Sequence, residues 1–469
     1  MLHANLPPRA GLDALGEAIL AVLENVGALF QNEEMLRALE AAGARVDYAA
    51  ERAWFPGAMA REFVAQVRQE ARPPEPAFPF PRLDFPGMST QVAQYVYDFD
   101  RRDRHPGATA DLIEMTKLGD ALDRAGTVGH SVLLQDVPPL LEPLEAGLVL
   151  AEYAHHPGPP FAWNVVQEPY LREMGEILGR PEWFTWGAVC IAHPLRFDRA
   201  VAARYVKLLR GGRWAGITAM PVVGLSTPVT VEGFIVVAAA ELVASWIAGR
   251  ALNPEVSLGG SMWAGTPDMR TGQVSFSSFD AMLYGIAVTQ FLQQWCGVEI
   301  AVGGGEYSAA REPSLYAGLE KAYKAMTIAA FTGRHPSIGE GMVDCGKVLS
   351  DVQLLIDREL TAGLQQYARS VRPSAEAIGL DSILEIGLGL HTSHLQSDHT
   401  AHHFRQCLWI PELLRRTGWN GAAEEEGVLR DLREKAKDLV ASYRKPEGRE
   451  DQLAAMRAVV ERARGKLLQ

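Results

Sequence analysis

The chain has 469 residues, with 45 Lys+Arg against 57 Asp+Glu and a formal net charge of −12. A hydrophobic content of 48% supplies a sizeable core and excludes disorder as the main state. The acidic balance argues against nucleic acid, whose phosphates need a basic face, and the length allows two or three average domains or one large α/β barrel with additions.

The first helical region is 12–48, where apolar Ala18, Val22, Leu29, Met35, Leu36 and Leu39 recur at helical spacing and Gly27 and Gly43 punctuate. A second helix fits 57–70. The proline-rich run 72–87 forbids a helix and reads as an extended connector. Residues 91–99 (QVAQYVYDF) have strand character. From about 126 a regular alternation begins. Strand candidates are 127–135, 160–167, 184–192, 215–223, 255–264, 298–303, 334–343 and 383–390, and helical stretches separate them at 139–155, 168–179, 197–210, 228–249, 278–296, 313–332, 349–369 and 399–416. Thr227-Pro228 supplies a helix start, and Gly211-Gly212 a helix stop. Strict alternation implies parallel strands with helical crossovers, and eight units closing on themselves make a (β/α)8 TIM barrel. A doubly wound open sheet is the competitor, weakened because no GxGxxG opens the first unit. The expected division is an N-terminal helical and strand extension (1–125), the barrel (126–420) and a charged helical tail (421–469) packed outside or in a subunit contact.

Cys190, Cys296, Cys345 and Cys407 form no CxxC pair, so neither a zinc ribbon nor a redox motif is signalled. The opening residues lack a basic-then-apolar leader pattern. The best membrane candidate, 234–249, is short and carries Glu241 in its middle, so it reads as a buried core helix. A cytoplasmic protein without membrane or nucleic-acid partners is expected.

In a barrel the active site lies at the C-terminal strand ends. Those ends carry Asp136, Gln167, His193, Met220, Trp263, Gly303 to Tyr307, Glu340 and His391. The set is rich in Trp, Met and Gly and poor in paired carboxylates. Gly303-Gly304-Gly305 would let a ligand approach the backbone, or serve only as a tight turn. Asp268 and Arg270 form either an internal pair or a substrate contact. His391, His394, His399, His402 and His403 are the densest histidine cluster, and His399 and His403 share a helical face at a metal-ligand spacing. No HExxH is present. Tyr95, Tyr97 and Phe99 alternate onto one strand face, suited to core packing or to a cage for an alkylammonium group.

Several segments taken together resemble the trimethylamine methyltransferase family: ENVGALFQNEEMLRALEAAGARVD (24–47), GLSTPVTVEGFIVVAAAELVA (224–244), PDMRTG (267–272), YAGLEKAYKAM (316–326), LIDREL (355–360) and HTAHHFRQCLWIPELLRR (399–416). The resemblance implies a (β/α)8 barrel and transfer of a methyl group from a small methylated amine to the cobalt of a separate corrinoid (cobalamin) protein. The nearest match to a corrinoid-binding DxHxxG signature, Asp103-Arg104-His105-Pro106-Gly107, lacks its glycine spacing, so a partner is expected to carry the corrinoid, with none tightly bound here and no metal. The sequence contains no pyrrolysine, which favours a quaternary amine as donor. The resemblance further suggests Tyr95, Tyr97, Phe99, Trp163 and Trp263 as cage residues, with Asp268, Arg270 and Gly304 as further substrate contacts and Glu306 and His391 as catalytic candidates.

The sequence departs from the family after the glycines, where it reads Ser308-Ala309-Ala310-Arg311, and at Gly333-Arg334-His335-Pro336. These changes leave Arg334 or Arg270 to meet any substrate carboxylate. A homo-oligomer is expected. Two other readings stay open: a metal-dependent hydrolase on the same fold using the 391–403 histidines, and a non-catalytic methylamine-binding protein.

Overall fold

The computed structural model describes residues 3–71, 91–303, 307–333, 338–414 and 418–469. The proline-rich run 72–87 and Gly304, Glu306 and Arg334 lie outside the described residues. The N-terminal region is two helices rather than one, α1 (Arg9–Asn25) and α2 (Glu33–Ala41), separated by the strand Ala28–Phe30. Gly27 causes the break. It adopts φ +63°, and a Cβ there would lie 2.1 Å from the Ala53 carbonyl oxygen, so a side chain would drive the strand off its neighbour. Asn32 starts α2 by accepting the Met35 N–H at 3.0 Å. α3 (Gly57–Glu70) follows.

Parallel pairing then builds a ring. Ala93 bridges Val132, and Val128 bridges Pro157. Phe161–Ala162 pairs with Thr185–Trp186, and Val189–Cys190, the continuation of that fourth strand, pairs with Ile217–Ala219. Ser261–Met262 lies between Ile217–Ala219 and Ala301–Val302. On the other side of the first strand, Val348–Leu349 runs parallel to Tyr95–Asp98. Between Ala301–Val302 and Val348–Leu349, the Asp344 and Cys345 N–H groups donate to the carbonyls of Ala310 and Ser308, both at 2.7 Å. A helix follows each strand: α4 (Thr109–Leu122), α5 (Glu142–Tyr153), α6 (Glu168–Ile177), α7 (Arg199–Arg210), α8 (Val231–Leu252), α9 (Phe279–Cys296), α10 (Leu315–Thr332) and α11 (Asp351–Leu364). This is the expected (β/α)8 barrel.

The ring is nevertheless displaced by one strand from the sequence reading. The segment 91–99, assigned to the N-terminal extension, supplies the first barrel strand, and Val348–Leu349 supplies the eighth. The expected strand 383–390 is helical: α12 (Ala375–Ile378) and α13 (Leu380–Gly387) occupy this region. Its apolar run ILEIGLGL is too short to separate strand from helix by periodicity, and Leu380, Ile383, Leu384 and Gly387 also satisfy helical spacing. The expected helix 399–416 is shorter, α14 (Asp398–Cys407), and its cap is Ser397, which accepts the Thr400 N–H at 3.2 Å.

α8 is long and apolar enough to cross a membrane, but 72% of its apolar window is buried inside this fold. α1, α2 and α9 pack on it, which accounts for its apolarity all round. Two tail helices, α15 (Ala422–Ser442) and α16 (Glu450–Leu467), lie on the outside of the barrel, α15 on α4 and α11 and α16 on α5 and α6. Each buries one stripe, such as Leu429, Leu432 and Ala436 in α15.

Ion pairs fasten this tail. Arg433 bonds Asp100 and Asp351, and Glu152 on α5 takes Lys445 at 2.5 Å and Arg457 at 2.8 Å. Burial pushes the Glu152 carboxyl up, but the two cations outweigh it and hold the pKa below the ordinary value. A lowered folded pKa gives a contribution that is fully present above the unfolded value, about 4.3 for Glu, and lost as pH falls through the folded one. Limited proteolysis of residues 443–469 is therefore expected to be steady from about pH 8 to 5 and to accelerate only below about pH 4. Release of the tail between about pH 7 and 5 would contradict this assignment.

Candidate functional site

Two aromatic groups mark the strand ends. On the third strand, Phe161 stacks on Trp163 with ring centroids 5.7 Å apart and planes 13° from parallel. Three donors converge on a carboxylate that fixes this pair. Glu142, 2% exposed, accepts the Trp163 Nε1–H at 2.8 Å, the His130 Nε2–H at 2.9 Å and the Leu134 N–H at 3.1 Å. The Phe161 N–H donates to His130 Nδ1 at 3.2 Å, which leaves the ring proton on Nε2. The histidine therefore ties the second strand to the third through one nitrogen and to α5 through the other.

The same device recurs two strands on. His193 Nδ1–H donates to Glu241 at 2.8 Å, and Nε2 accepts the Met220 N–H at 2.8 Å. Glu241 also accepts the Leu195 N–H at 2.8 Å. The one carboxylate inside the apolar stretch 234–249 is thus fully engaged. Its presence in the sequence was a legible signal of a buried polar partner, though not of which one.

On the sixth and seventh strands, Trp263 donates through Nε1 to Ser261 Oγ at 3.1 Å, and Ser261 Oγ lies 3.2 Å from Thr218 Oγ1 on the fifth strand. The Trp263 ring meets Tyr307 edge to face at 4.8 Å, and Phe276 approaches Tyr307 at 6.1 Å. Gln91, from the start of the first strand, donates Nε2–H to the Tyr307 hydroxyl at 2.6 Å. Its Oε1 is buried without a partner, as is Ser131 Oγ on the second strand. Glycine backbone brings these rings in close: a Cβ at Gly303 would lie 1.9 Å from Trp263 Nε1, and one at Gly346 2.1 Å from the Tyr307 ring. What Gly303 admits is therefore the indole of Trp263. Tyr307 and Gln91 were not singled out from sequence, because their meeting depends on ring closure.

Behind the seventh strand a buried network holds the loop that carries Tyr307. Lys321 pairs with Asp357, which also accepts the Gly341 N–H at 2.9 Å, and Glu320 accepts the Ser308 hydroxyl at 2.6 Å and the Ala309 N–H at 2.8 Å. Lys324 donates to the Tyr307 carbonyl.

The remaining candidates lie elsewhere. Tyr95, Tyr97 and Phe99 do not present open aromatic faces. Arg104 lies over Tyr95 at 4.8 Å and Arg102 over Phe99 at 4.1 Å. The Tyr97 hydroxyl donates to Glu312 at 3.0 Å, and burial together with that carboxylate pushes its pKa up to about 12. Asp268 accepts the Arg270 N–H at 2.8 Å at the tip of the hairpin Thr266–Pro267/Val274–Ser275, and both side chains face solvent. His391 follows a helix instead of a barrel strand and is exposed. His399 Nε2 lies 3.0 Å from the Glu376 carbonyl and His402 Nδ1 2.7 Å from the Asp398 carbonyl, so those ring nitrogens meet local backbone. Among the described residues no group of three or more His, Cys, Asp or Glu is placed to hold a metal.

Two substitutions test this geometry. Glu142→Gln is expected to cost at least about 1.5–3 kcal/mol in urea unfolding, because a carboxylate that serves three donors is lost, and to alter the near-UV tryptophan signal. Retention of both stability and spectrum would refute the role. Gly303→Ala is expected to displace the Trp263 indole, read as a near-UV change absent when Trp263→Phe is the background.

Comparison with known proteins agrees with the barrel and the segments quoted above. Over 338 residues the chain is 24% identical to a trimethylamine methyltransferase of Methanosarcina mazei, a match covering 70% of this chain and 66% of that protein. A glycine betaine methyltransferase of Desulfitobacterium hafniense is 23% identical over 234 residues, 50% of this chain and 48% of that one. The chain thus spans half to about two thirds of the length of several curated relatives it matches. A trimethylamine methyltransferase of Desulfitobacterium hafniense aligns over 96% of this chain and 92% of its own, at 21% identity. The crystal structure of the Methanosarcina barkeri monomethylamine methyltransferase covers 93% of this chain and 89% of its own, at 11% identity and a TM-score of 0.45. A model of the trimethylamine methyltransferase family matches residues 4–467, and with this full-length match the chain belongs to that family.

Proposed function

We propose that this protein is an amine methyltransferase that moves a methyl group from a small quaternary amine to a corrinoid carried by a separate protein. The observation that carries this reading is the pair of aromatic walls at the strand ends, Phe161–Trp163 and Trp263–Tyr307, in a chain of this family. Ring faces attract alkylammonium groups, which cannot donate hydrogen bonds. When bound, the corrinoid supplies a reduced cobalt nucleophile. A quaternary nitrogen leaves as a neutral amine and needs no general acid. This chain's own work is then to bind, orient the N–CH3 bond and exclude water.

The rings suit that task because they are held rigidly, Trp163 by Glu142 and Trp263 by Ser261 and the backbone at Gly303. The neighbouring polar groups, Gln91, Ser131 and Thr218, are neutral amide and hydroxyl functions, compatible with a cation that must not be deprotonated or trapped. The alternative hydrolase would need the 391–403 histidines beside the barrel strands, whereas they sit on the exposed segment α13–α14.

The decisive measurement is a screen of N-methyl compounds with reduced cobalamin as acceptor, following methylcobalamin by absorbance. Product is expected from a quaternary ammonium, and Trp163→Ala and Trp263→Ala are each expected to raise KM roughly 2- to 30-fold. Absence of methylcobalamin with every N-methyl compound would sink the proposal.

A further inference from the structure

Arg204 on α7 is a buried cation without a counter-charge. It is 8% exposed, and its two hydrogen bonds are long: Nη1 to the Gly187 carbonyl at 3.4 Å and Nη2 to the Ala188 carbonyl at 3.2 Å. Its Nε has no partner. Among the described residues no carboxylate forms an ion pair with it, although Lys207, three residues on, pairs with Glu168. A guanidinium presents five donors in a planar fork, and burying one unpaired is costly unless an anion completes it.

Its surroundings are those of a small pocket rather than a closed core. Gly187 lies in the break of the fourth strand between Thr185–Trp186 and Val189–Cys190. A Cβ on Gly187 would lie 2.8 Å from the Trp163 ring and 3.0 Å from Arg204 Nη1, so the indole and the guanidinium are side by side over a residue without a side chain. The Phe161 and Trp163 rings are both partly exposed. The charged group nearest to Arg204 is the Cys190 thiol, which burial pushes up despite the guanidinium, so it supplies no anion at neutral pH.

We propose that Arg204 is the oxyanion subsite of the substrate pocket, where it pairs with a carboxylate borne by the substrate while the methylated ammonium rests on the Phe161–Trp163 wall. The substrate is then a short zwitterion, with its two charges separated by one or two carbons. This deepens the amine methyltransferase reading and rests on it. It also replaces Arg270 and Arg334, the arginines that the sequence alone offered for a carboxylate.

The test uses the full chain and three probes: trimethylglycine, tetramethylammonium and acetate. Trimethylglycine and acetate should raise the melting temperature of the native protein, and Arg204→Gln should abolish both shifts. In the methylcobalamin assay, Arg204→Gln should raise KM for trimethylglycine roughly tenfold or more and leave KM for tetramethylammonium within about twofold. Arg204→Lys keeps the charge but loses the fork, and its KM for trimethylglycine should fall between the two, which guards against a folding defect in Arg204→Gln. Equal KM values for Arg204→Gln and the native protein with trimethylglycine would overturn the subsite. So would an acetate shift that persists in Arg204→Gln, or that occurs without any effect of trimethylglycine. If no amine is demethylated by the native protein, the methyltransferase reading falls, while the thermal shifts still decide whether Arg204 binds carboxylate.

Discussion

Everything in this molecule depends on closing the barrel between its first and last strands. Tyr95–Asp98 pairs with Val348–Leu349, segments that lie at opposite ends of the barrel's sequence. Until that pairing forms, Gln91 has no route to Tyr307, and the Asp344 and Cys345 amides cannot reach the loop after the seventh strand. A parallel ring also leaves no free edge, so the short strands seen here are stabilised by neighbours on both sides instead of by their own length. The helices that bury them, α8 above all, carry most of the apolar surface.

Within that ring, specificity of position comes from buried polar groups. The two strand histidines, His130 and His193, each use one nitrogen to accept a backbone amide from the next strand and the other to donate to a glutamate on an outer helix. Each carboxylate is fully occupied in turn, so the arrangement tolerates little movement. Trp163 inherits its orientation from this network. Trp263 is held differently, by a hydroxyl and by the absence of a side chain at Gly303. Aromatic rings fixed in this way can present a face to a cation without first giving up conformational freedom.

The outer layer follows other rules. The tail helices α15 and α16 bind through one apolar stripe plus partly exposed ion pairs, each weak alone. The segment from α12 to α14 buries little of its apolar surface: Leu388, Leu390 and Leu395 are each more than 60% exposed. It is the part of the chain least constrained by the barrel, and it is also where sequence reading placed a strand and a catalytic histidine.

Sequence determined the fold class because alternation is a local property: each helix from α4 to α11 carries its own apolar face, cap and stop, as at Ser278 and Gly297 or Ser314 and Gly333. It also pointed to Glu241 as a buried carboxylate and to Trp163 and Trp263 as residues at strand ends. Only the tertiary structure decided which segment opens and which closes the ring, because a short apolar run satisfies strand and helix alike and the choice depends on a distant partner. The same holds for the site. The cation–π contacts that engage Tyr95 and Phe99, the glutamate behind Trp163 and the uncompensated charge of Arg204 are relations between residues far apart in sequence, and no local pattern encodes them.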